Sequence, residues 1–214
     1  MERRKIIGFY DYTVVLTYLG LALAFFGIIH VLKGNYLPSI MCLMGAGICD
    51  MFDGAVAATK ERNCYEKHFG IQIDSLCDLI SFGLLPAIFV YRISGESWYI
   101  AALACVFTLC GLIRLAYYNV QEYERQQTTA EKRETYLGVP ITTSAIVLPL
   151  TYLLYVKVSF IGVYIFPIMT ALLGIGYVAG VEIKKPKAIG KLVLIVIGLV
   201  EMLWVFLLSG ADLL

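Results

Sequence analysis

The chain is built from long apolar segments separated by short polar connections. Hydrophobic residues make up 60% of its 214 residues and charged residues only 15%, far from the balance of a soluble domain. Most segments approach the roughly 20 residues that an α-helix needs to cross a bilayer. We therefore predict an all-α, polytopic transmembrane bundle of about seven helices, with a range of roughly six to eight because prolines blur the later boundaries. The predicted segments are 10–32, 38–60, 70–92, 98–121, 139–156, 159–180 and 187–209.

Lysine and arginine are distributed unevenly between the two ends of these segments. If the N-terminus is cytoplasmic, twelve cationic residues fall on the cytoplasmic side and three on the other. This positive-inside pattern predicts a cytoplasmic N-terminus in an integral protein of the cell membrane. The twelve are Arg3, Arg4, Lys5, Lys60, Arg62, Lys67, Arg125, Lys132, Arg133, Lys184, Lys185 and Lys187, and the three are Lys33, Arg92 and Lys157.

Four aspartates interrupt the second and third apolar segments. Asp50 and Asp53 are three residues apart, and Asp74 and Asp78 are four apart, so each pair shares one helix face. A carboxylate in hydrocarbon costs at least about 2 kcal/mol, which makes intramembrane acids candidates for function. Because the second segment runs inward and the third runs outward, we predict that all four acids lie together at the cytoplasmic end.

Four carboxylates in one place require cations. Two carboxylates about 4 Å apart repel by about 4 kcal/mol at an effective dielectric constant near 20. Oxygen-only ligands favour hard divalent ions such as Mg²⁺, Mn²⁺ or Ca²⁺. The small residues Gly54, Ala57 and Gly70 lie on the same helix faces and leave room for a bulky ligand. We therefore predict two divalent metal ions that clamp a pyrophosphate, while one carboxylate takes a proton from a nucleophile.

Clustered acids also occur in cation transporters. A transporter site is expected near the bilayer midplane between broken helices, whereas these acids lie toward one face of the membrane. A divalent-cation transporter therefore remains the alternative from a different functional class. No nucleic-acid partner is expected.

The spacing of the acids and small residues resembles the signature of the CDP-alcohol phosphotransferases, integral membrane enzymes that make phospholipid head groups. The signature fixes seven positions over 29 residues, Asp50-x2-Asp53-Gly54-x2-Ala57 followed by Gly70-x3-Asp74-x3-Asp78. In that family an alcohol attacks the lipid-linked phosphate of a CDP-linked substrate and releases CMP. The resemblance implies that the four aspartates hold metal, that Asp78 is the catalytic base, and that the chain forms a homodimer. It also implies that CDP binds along Gly54, Ala57 and Gly70.

Longer stretches are similar to the phosphatidylserine synthases within this family. This similarity implies CDP-diacylglycerol and L-serine as substrates, membrane lipids as surroundings, and an active site that faces the cytoplasm. Glycerol 3-phosphate or an inositol phosphate remains an alternative acceptor. We expect a single membrane domain at 1–214, with its catalytic core at about 10–156 and additional helices at about 159–209. The similar stretches are Phe69-Gly-Ile-Gln-Ile-Asp-Ser-Leu-Cys-Asp-Leu-Ile-Ser-Phe-Gly83, Pro86-Ala87, Ile113-Arg-Leu-Ala-Tyr-Tyr-Asn119 and Gly138-Val-Pro140.

One position departs from the family pattern. The motif Asp-Gly-x2-Ala usually continues with arginine, and here Ala58 follows instead. The family's arginine is expected near the nucleotide or its phosphates. We therefore expect Lys60 or Arg62, in the long connection to Gly70, to bind CDP in its place, and an inactive relative is the alternative.

The acceptor site is predicted from polar residues in the apolar segments. The carboxylate of zwitterionic serine needs a cation, and Arg114 lies about 10 Å by helical rise from the inner end of the fourth segment. We expect Arg114 to bind serine or a lipid phosphate, or else to neutralise an aspartate. Asn119 and Ser81 are further candidates, although such residues often serve interhelical hydrogen bonds.

Overall fold

The computed structural model describes residues 7–128, 135–158, 162–184, 196–204 and 207. Within these ranges the chain is almost entirely helical, with one pair of short strands. The elements in chain order are a 3₁₀ turn at Tyr12–Val14, α1 at Val15–Leu32, α2 at Tyr36–Ala57, α3 at Cys64–Asp78, a π-helical turn at Leu79–Leu84, α4 at Leu85–Ile93, α5 at Trp98–Thr128, β1 at Thr135–Leu137, a 3₁₀ turn at Ile141–Thr143, α6 at Ser144–Lys157, α7 at Ile165–Val178, β2 at Glu182–Lys184, and α8 at 196–204.

Among the described residues, four helical runs are long and apolar enough to cross a membrane. They are Tyr12–Leu32, Tyr36–Ala57, Cys64–Ile93 and Trp98–Arg125, and the third joins α3, the π-helical turn and α4. Two shorter apolar helical stretches follow at Ile141–Lys157 and Ile165–Val178. The predicted all-α transmembrane bundle is therefore confirmed.

The cytoplasmic N-terminus stays a prediction. The segments predicted at 159–180 and 187–209 are described only in part. Seven of the cations counted above lie outside the described residues, namely Arg3, Arg4, Lys5, Lys132, Arg133, Lys185 and Lys187. The side chain of Lys184 is also outside the described part of the structure.

Helix α3 begins at Cys64, six residues before the predicted boundary at 70. A capping box explains the early start: Asn63 Oδ1 accepts a hydrogen bond from the Glu66 N–H at 2.9 Å, and the Asn63 N–H donates to Glu66 Oε2, also at 2.9 Å. These two bonds satisfy amide donors that would otherwise lack partners at a helix N-terminus. The helix therefore extends beyond the apolar stretch through a polar first turn and a half.

The connection between the predicted segments 98–121 and 139–156 is divided between two elements. Helix α5 continues to Thr128, and strand β1 pairs antiparallel with β2 so that Tyr136 lies opposite Ile183. The strand pair was not predicted, because its two halves are far apart in the sequence and each has only three residues.

Helices α1 and α2 pack closely through small residues. A Cβ atom added to Gly20 would lie 3.4 Å from Cys49 Cβ, and one added to Gly27 would lie 3.2 Å from Cys42 Cβ and 3.0 Å from Leu85. Small residues of this kind allow membrane helices to approach each other. The packing sets α1 directly against the helix that carries Asp50 and Asp53. The largest fully buried side chains of the described bundle include Ile40, Leu43, Phe82, Leu85, Phe89, Phe107 and Phe166.

The turn at Gly138 joins the loop before α6 to the end of α7. Gly138 has φ +71°, its N–H donates to the Val181 carbonyl at 2.9 Å, and an added Cβ atom would lie 2.7 Å from the Tyr177 carbonyl. The buried Tyr177 hydroxyl in turn donates to the Ile141 carbonyl at 3.1 Å. Only glycine fits both the backbone angle and the space at this turn.

The π-helical turn at Leu79–Leu84 begins immediately after Asp78. Its wider hydrogen bonding is visible at Leu85, whose N–H donates to the Ile80 carbonyl five residues earlier. The Phe82 carbonyl inside the turn accepts a hydrogen bond from the buried Ser144 hydroxyl at 2.9 Å. Turns of this type are frequent at functional sites. Here the turn changes which side chains of the continuing helix face the bundle interior.

Candidate active site

The structure brings the four intramembrane aspartates together. Asp50 and Asp53 lie in the last two turns of α2, and Asp74 and Asp78 lie on the facing side of α3. One carboxylate oxygen from each of Asp50, Asp74 and Asp78 lies within 4.8 Å of the other two. The Asp53 carboxyl group contacts that of Asp74, and the Asp50 carboxyl group contacts that of Asp78. Two antiparallel helices thus form one acidic cluster.

This cluster fits a divalent metal ion. Asp50, Asp74 and Asp78 supply oxygen donors at a mutual distance that one ion could bridge. Three carboxylates this close repel one another by several kcal/mol at an effective dielectric constant of about 20, and a cation relieves that repulsion. Oxygen-only coordination suits Mg²⁺, Mn²⁺ and Ca²⁺ better than softer metals. Asp53 completes the set through its contact with Asp74.

A cavity of about 190 Å³ opens beside Asp53 and Asp74. The three small residues predicted to admit a ligand, Gly54, Ala57 and Gly70, all line it. A Cβ atom added to Gly54 would meet no atom within 4 Å, so this glycine faces open space. A ligand could therefore approach the α2 backbone next to the acids. The complete lining is Thr13, Val14, Thr17, Asp53, Gly54, Ala57, Arg62, Lys67, Gly70, Ile71 and Asp74.

Two cations of the described residues line the same cavity, and only one of them was predicted to bind CDP. Arg62 reaches it from the connection between α2 and α3, and its Nη1 lies 2.9 Å from where a Cβ atom of residue 70 would stand. Lys67 on α3 is the unpredicted one. Its sequence signal is its position three residues before Gly70, which places both on one helix face. Arg62 and Lys67 give the cavity the positive charge that a diphosphate requires.

Lys60, the other predicted CDP-binding cation, does not line the cavity. Its Nζ lies 2.7 Å from Asp11 Oδ2 and 3.8 Å from Glu66 Oε1. Ala58, at the family's arginine position, is the exposed C-cap of α2. Of the two predicted CDP-binding cations, Arg62 is therefore the one that lines the cavity.

The Asp11–Lys60 pair lies outside the membrane-spanning runs. The pKa of Asp11 is lowered to about 2, because Lys60 and then Thr13 donate hydrogen bonds to its carboxylate. The pKa of Lys60 is raised by the same hydrogen bond with Asp11. Each partner thus favours the charged form of the other.

The three predicted acceptor residues lie in three different places. Ser81 is buried in a small pocket that Asp50 and Asp78 also line. Arg114 lines a separate cavity of about 260 Å³ between α5 and the end of α7. Asn119 accepts a hydrogen bond from the Ser75 hydroxyl at 3.1 Å, at a groove between α3 and α5. The structure therefore brings only Ser81 to the aspartates.

Thr13 and Thr17 contribute to the site but were not singled out from the sequence. Both line the cavity, and the Thr17 hydroxyl donates to Asp53 Oδ2 at 3.3 Å. Their signal is a spacing of four residues at the start of an otherwise apolar segment, which puts two hydroxyl groups on one helix face. The first helix thus supplies polar groups to a site whose acids come from the next two.

Comparison with known proteins relates most of the chain to one family. The profile of the CDP-alcohol phosphatidyltransferase family matches residues 13–209. A CDP-diacylglycerol–serine O-phosphatidyltransferase from Saccharomyces cerevisiae is 33% identical over 56% of this chain and 44% of its own length. An archaetidylserine synthase from Methanothermobacter thermautotrophicus is 32% identical over 72% of this chain and 62% of its own. A CDP-diacylglycerol–serine O-phosphatidyltransferase from Helicobacter pylori is 30% identical over 59% of this chain and 51% of its own length.

The chain thus spans about half the length of the curated relatives that it matches. The family profile, by contrast, extends from the 3₁₀ turn before α1 to beyond α8 and includes the acidic cluster and its cavity. The chain belongs to the CDP-alcohol phosphatidyltransferase family.

Proposed function

We propose that this protein transfers a phosphatidyl group from CDP-diacylglycerol to L-serine, forming phosphatidylserine and CMP. One observation carries the proposal: Asp50, Asp74 and Asp78 converge beside a cavity that combines a small-residue floor with Arg62 and Lys67. Family membership supports the reaction class, and the names of the three relatives support serine as the acceptor.

The cavity suits the cytidine diphosphate of the donor lipid. Gly54, Ala57 and Gly70 leave room for the nucleotide against the backbone, while Arg62 and Lys67 face its phosphates. A divalent metal bound by the aspartates supplies charge neutralisation at the diphosphate and at the departing CMP. We propose that the aspartates bind two metal ions. These ions are Mg²⁺ or Mn²⁺, with Ca²⁺ as an alternative.

Asp78 is the residue that we assign as the general base. It contacts Asp50 and lines the same small pocket as the buried Ser81. In the proposed step the Asp78 carboxylate takes the proton of the serine hydroxyl. The serine oxygen forms a bond to the lipid-linked phosphorus, and the bond from that phosphorus to the bridging oxygen breaks. CMP leaves with the electron pair.

The identity of the acceptor rests on the relatives more than on the cavity. The names of the three relatives share serine, whereas the lipid differs between phosphatidyl and archaetidyl. Glycerol 3-phosphate or an inositol phosphate would bring a second phosphate group to the site. Arg62 and Lys67, the two cations in the described cavity lining, already face the diphosphate in our proposal. Serine therefore makes the smaller demand on positive charge.

The proposal also includes the setting of the enzyme. The four membrane-spanning runs keep the lipid tails in the bilayer while the cavity opens at the end where α2 stops and α3 begins. We propose that this end faces the cytoplasm, that the donor enters sideways from the inner leaflet, and that the protein acts as a homodimer.

Release of CMP from CDP-diacylglycerol by purified protein tests the function. The reactions contain Mn²⁺ or Mg²⁺ and either L-serine, glycerol 3-phosphate, an inositol phosphate or no acceptor. Serine-dependent release is the expected result. Release with another acceptor would preserve the chemistry and overturn serine as the acceptor.

Two further experiments test whether the protein is an inactive relative or a cation transporter. Absence of CMP release with every acceptor, followed by activity in an Ala58→Arg variant, would identify a disabled member of the family. Flux of Mn²⁺ into liposomes that contain the protein, without any reaction of CDP-diacylglycerol, would identify a transporter instead.

A further inference from the structure

The residues just before α1 contact the connection between α2 and α3, next to the aspartate cavity. We call residues 9–13 the N-terminal strap. Asp11 pairs with Lys60 at 2.7 Å, and the Tyr12 hydroxyl lies 3.1 Å from Thr59 Oγ1. The rings of Phe9 and Phe69 also pack against each other in a tilted arrangement, with their centroids 5.5 Å apart. Thr13, the last residue of the strap, also lines the cavity.

The connection that the strap contacts is held at both of its ends. At the α2 end, Thr59 donates to the Val56 carbonyl at 2.7 Å. At the α3 end, Asn63 is fixed by its capping box with Glu66, whose carboxylate also reaches Lys60 at 3.8 Å. Between the anchored residues Lys60 and Asn63 stand only two others. One of these is Arg62.

The anchoring separates the two cations of the connection. Lys60 is engaged by Asp11 and Glu66, which leaves little of its charge for a ligand. In the described part of the chain, Arg62 forms no such ion pair and points into the cavity above Gly70. A long arginine side chain loses much rotamer freedom when it is held in one place. Fixing its backbone on both sides reduces what ligand binding must still order.

We propose that Asp11 and Lys60 are positioning residues: their ion pair fixes the connection between α2 and α3 so that Arg62 faces the cavity and binds the diphosphate of the donor. Neither Asp11 nor Lys60 touches the substrate in this role. The inference rests on the proposed function for the identity of the diphosphate. Its structural part, that Asp11 acts through Arg62, concerns any nucleoside diphosphate that enters the cavity.

A double-mutant cycle between Asp11→Asn and Arg62→Ala tests this coupling. Binding of CDP in the presence of Mn²⁺ is measured on the purified protein in lipid nanodiscs, together with kcat and KM for CDP-diacylglycerol. Asp11→Asn alone should weaken CDP binding and raise KM about threefold to fivefold with kcat unchanged, since a part-exposed ion pair has a modest effect. In the Arg62→Ala background, Asp11→Asn should have no further effect.

Two additional variants sharpen the cycle. Lys60→Met, which removes the charge of the partner, should weaken CDP binding by about the same factor as Asp11→Asn, and the two changes together should weaken it no further. Glu96→Gln is the matched control, because it breaks an ion pair with Arg92 at the opposite end of the bundle. That variant should bind CDP as the unaltered protein does.

The outcomes separate this inference from the proposed function. An equal loss of CDP affinity from Asp11→Asn with and without Arg62 would overturn the coupling, and so would an Asp11→Asn variant of unaltered affinity. Absence of CDP binding by the unaltered protein would also overturn it. If the unaltered protein binds CDP but releases no CMP with serine, the proposed function fails while the cycle still reports on positioning.

Discussion

Thr17 on α1 donates a hydrogen bond to Asp53 Oδ2 on α2 across 3.3 Å. Thr17 is only 8% exposed, and Asp53 contacts Asp74 on α3 in turn. The hydroxyl therefore links a helix without carboxylates to the acidic cluster. Partners of this kind orient the groups that hold a metal ion.

Removal of this hydroxyl should weaken metal binding. Thr17→Val keeps the shape of the side chain but removes the hydroxyl that donates to Asp53. We expect about a tenfold increase in the Mn²⁺ concentration needed for half-maximal activity, at the lower end for such partners because the bond is long. Thr17→Ser, which retains the hydroxyl, is the control. Equal metal dependence of Thr17→Val and the unaltered protein would show that the bond has no role.

Asp78→Asn should abolish turnover and preserve nucleotide binding. The amide cannot accept the serine proton, and loss of a general base typically lowers a rate by about 10²-fold to 10⁴-fold. CMP release and CDP binding are measured side by side. Glu182→Gln, at an exposed carboxylate on β2, controls for the loss of one acid. Undiminished turnover by Asp78→Asn would assign the base elsewhere.

Two glycines of the cavity should respond differently to alanine. Gly70→Ala places a methyl group 2.9 Å from Arg62 Nη1, so Arg62 must move and the KM for the donor lipid should rise. Gly54→Ala meets no protein atom, and alanine favours a helix over glycine by about 1 kcal/mol. It should therefore leave the fold as stable as before, or more so, while its methyl group occupies the space of the nucleotide.

Thermal unfolding and CDP binding distinguish these two effects. If Gly54→Ala bound CDP normally, the nucleotide would not approach that part of α2. If Gly70→Ala bound CDP normally, Arg62 would not be required in its present position.

Gly138→Ala should destabilise the protein more than Gly34→Ala does. Both glycines have a left-handed backbone, with φ +71° and +77°. Only at Gly138 would the added Cβ atom collide, at 2.7 Å from the Tyr177 carbonyl, whereas Gly34 faces open space. The strain alone costs about 1 kcal/mol, and the collision should raise the cost at Gly138 to about 3 kcal/mol. Equal midpoints of thermal unfolding for the two variants would contradict this reading of the turn.

The contribution of Asp11 to stability should depend on pH only under acid conditions. Its pKa is about 2 in the folded protein against 3.8 for a free side chain, so the contribution is complete above about pH 4 and lost as the pH falls through about 2. The pKa of Lys60 is raised above its ordinary value of 10.5, so Lys60 stays charged throughout the neutral and acid range. The unfolding midpoints of the unaltered protein and Asp11→Asn should therefore differ by a constant amount near neutral pH.

Below about pH 4 the two unfolding curves should converge, because the unaltered protein then loses the pair that Asp11→Asn never had. A difference that grew toward low pH would mean that Asp11 is stabilised by something other than Lys60.

The transmembrane architecture could be predicted because it depends on local composition. A helix is the structure that satisfies every backbone group of an apolar segment in lipid, so segment length and hydropathy were sufficient. The start of α3 was wrong by six residues, since the capping box of Asn63 and Glu66 outweighs the polarity of the residues that follow. The β1–β2 pair was missed because no local pattern specifies a contact between strands so far apart.

The acidic cluster could be predicted because its spacing and the direction of two neighbouring helices place all four carboxylates at one end. The same argument failed to group the acceptor residues. Depth in the membrane is readable from position along a helix, but the direction in which Ser81, Arg114 and Asn119 point depends on how several helices are rotated. The π-helical turn after Asp78 adds a rotation with no recognisable signal in its sequence.

The sequence by itself therefore determined the class of the protein, its membrane-spanning helices and the grouping of its four intramembrane aspartates, because each follows from local hydropathy and helical spacing. Only the tertiary structure decided which cation serves the cavity. Lys60 and Arg62 are two residues apart and equivalent by charge and position. Their roles separate because Asp11, 49 residues before Lys60, engages that lysine and leaves Arg62 facing the site.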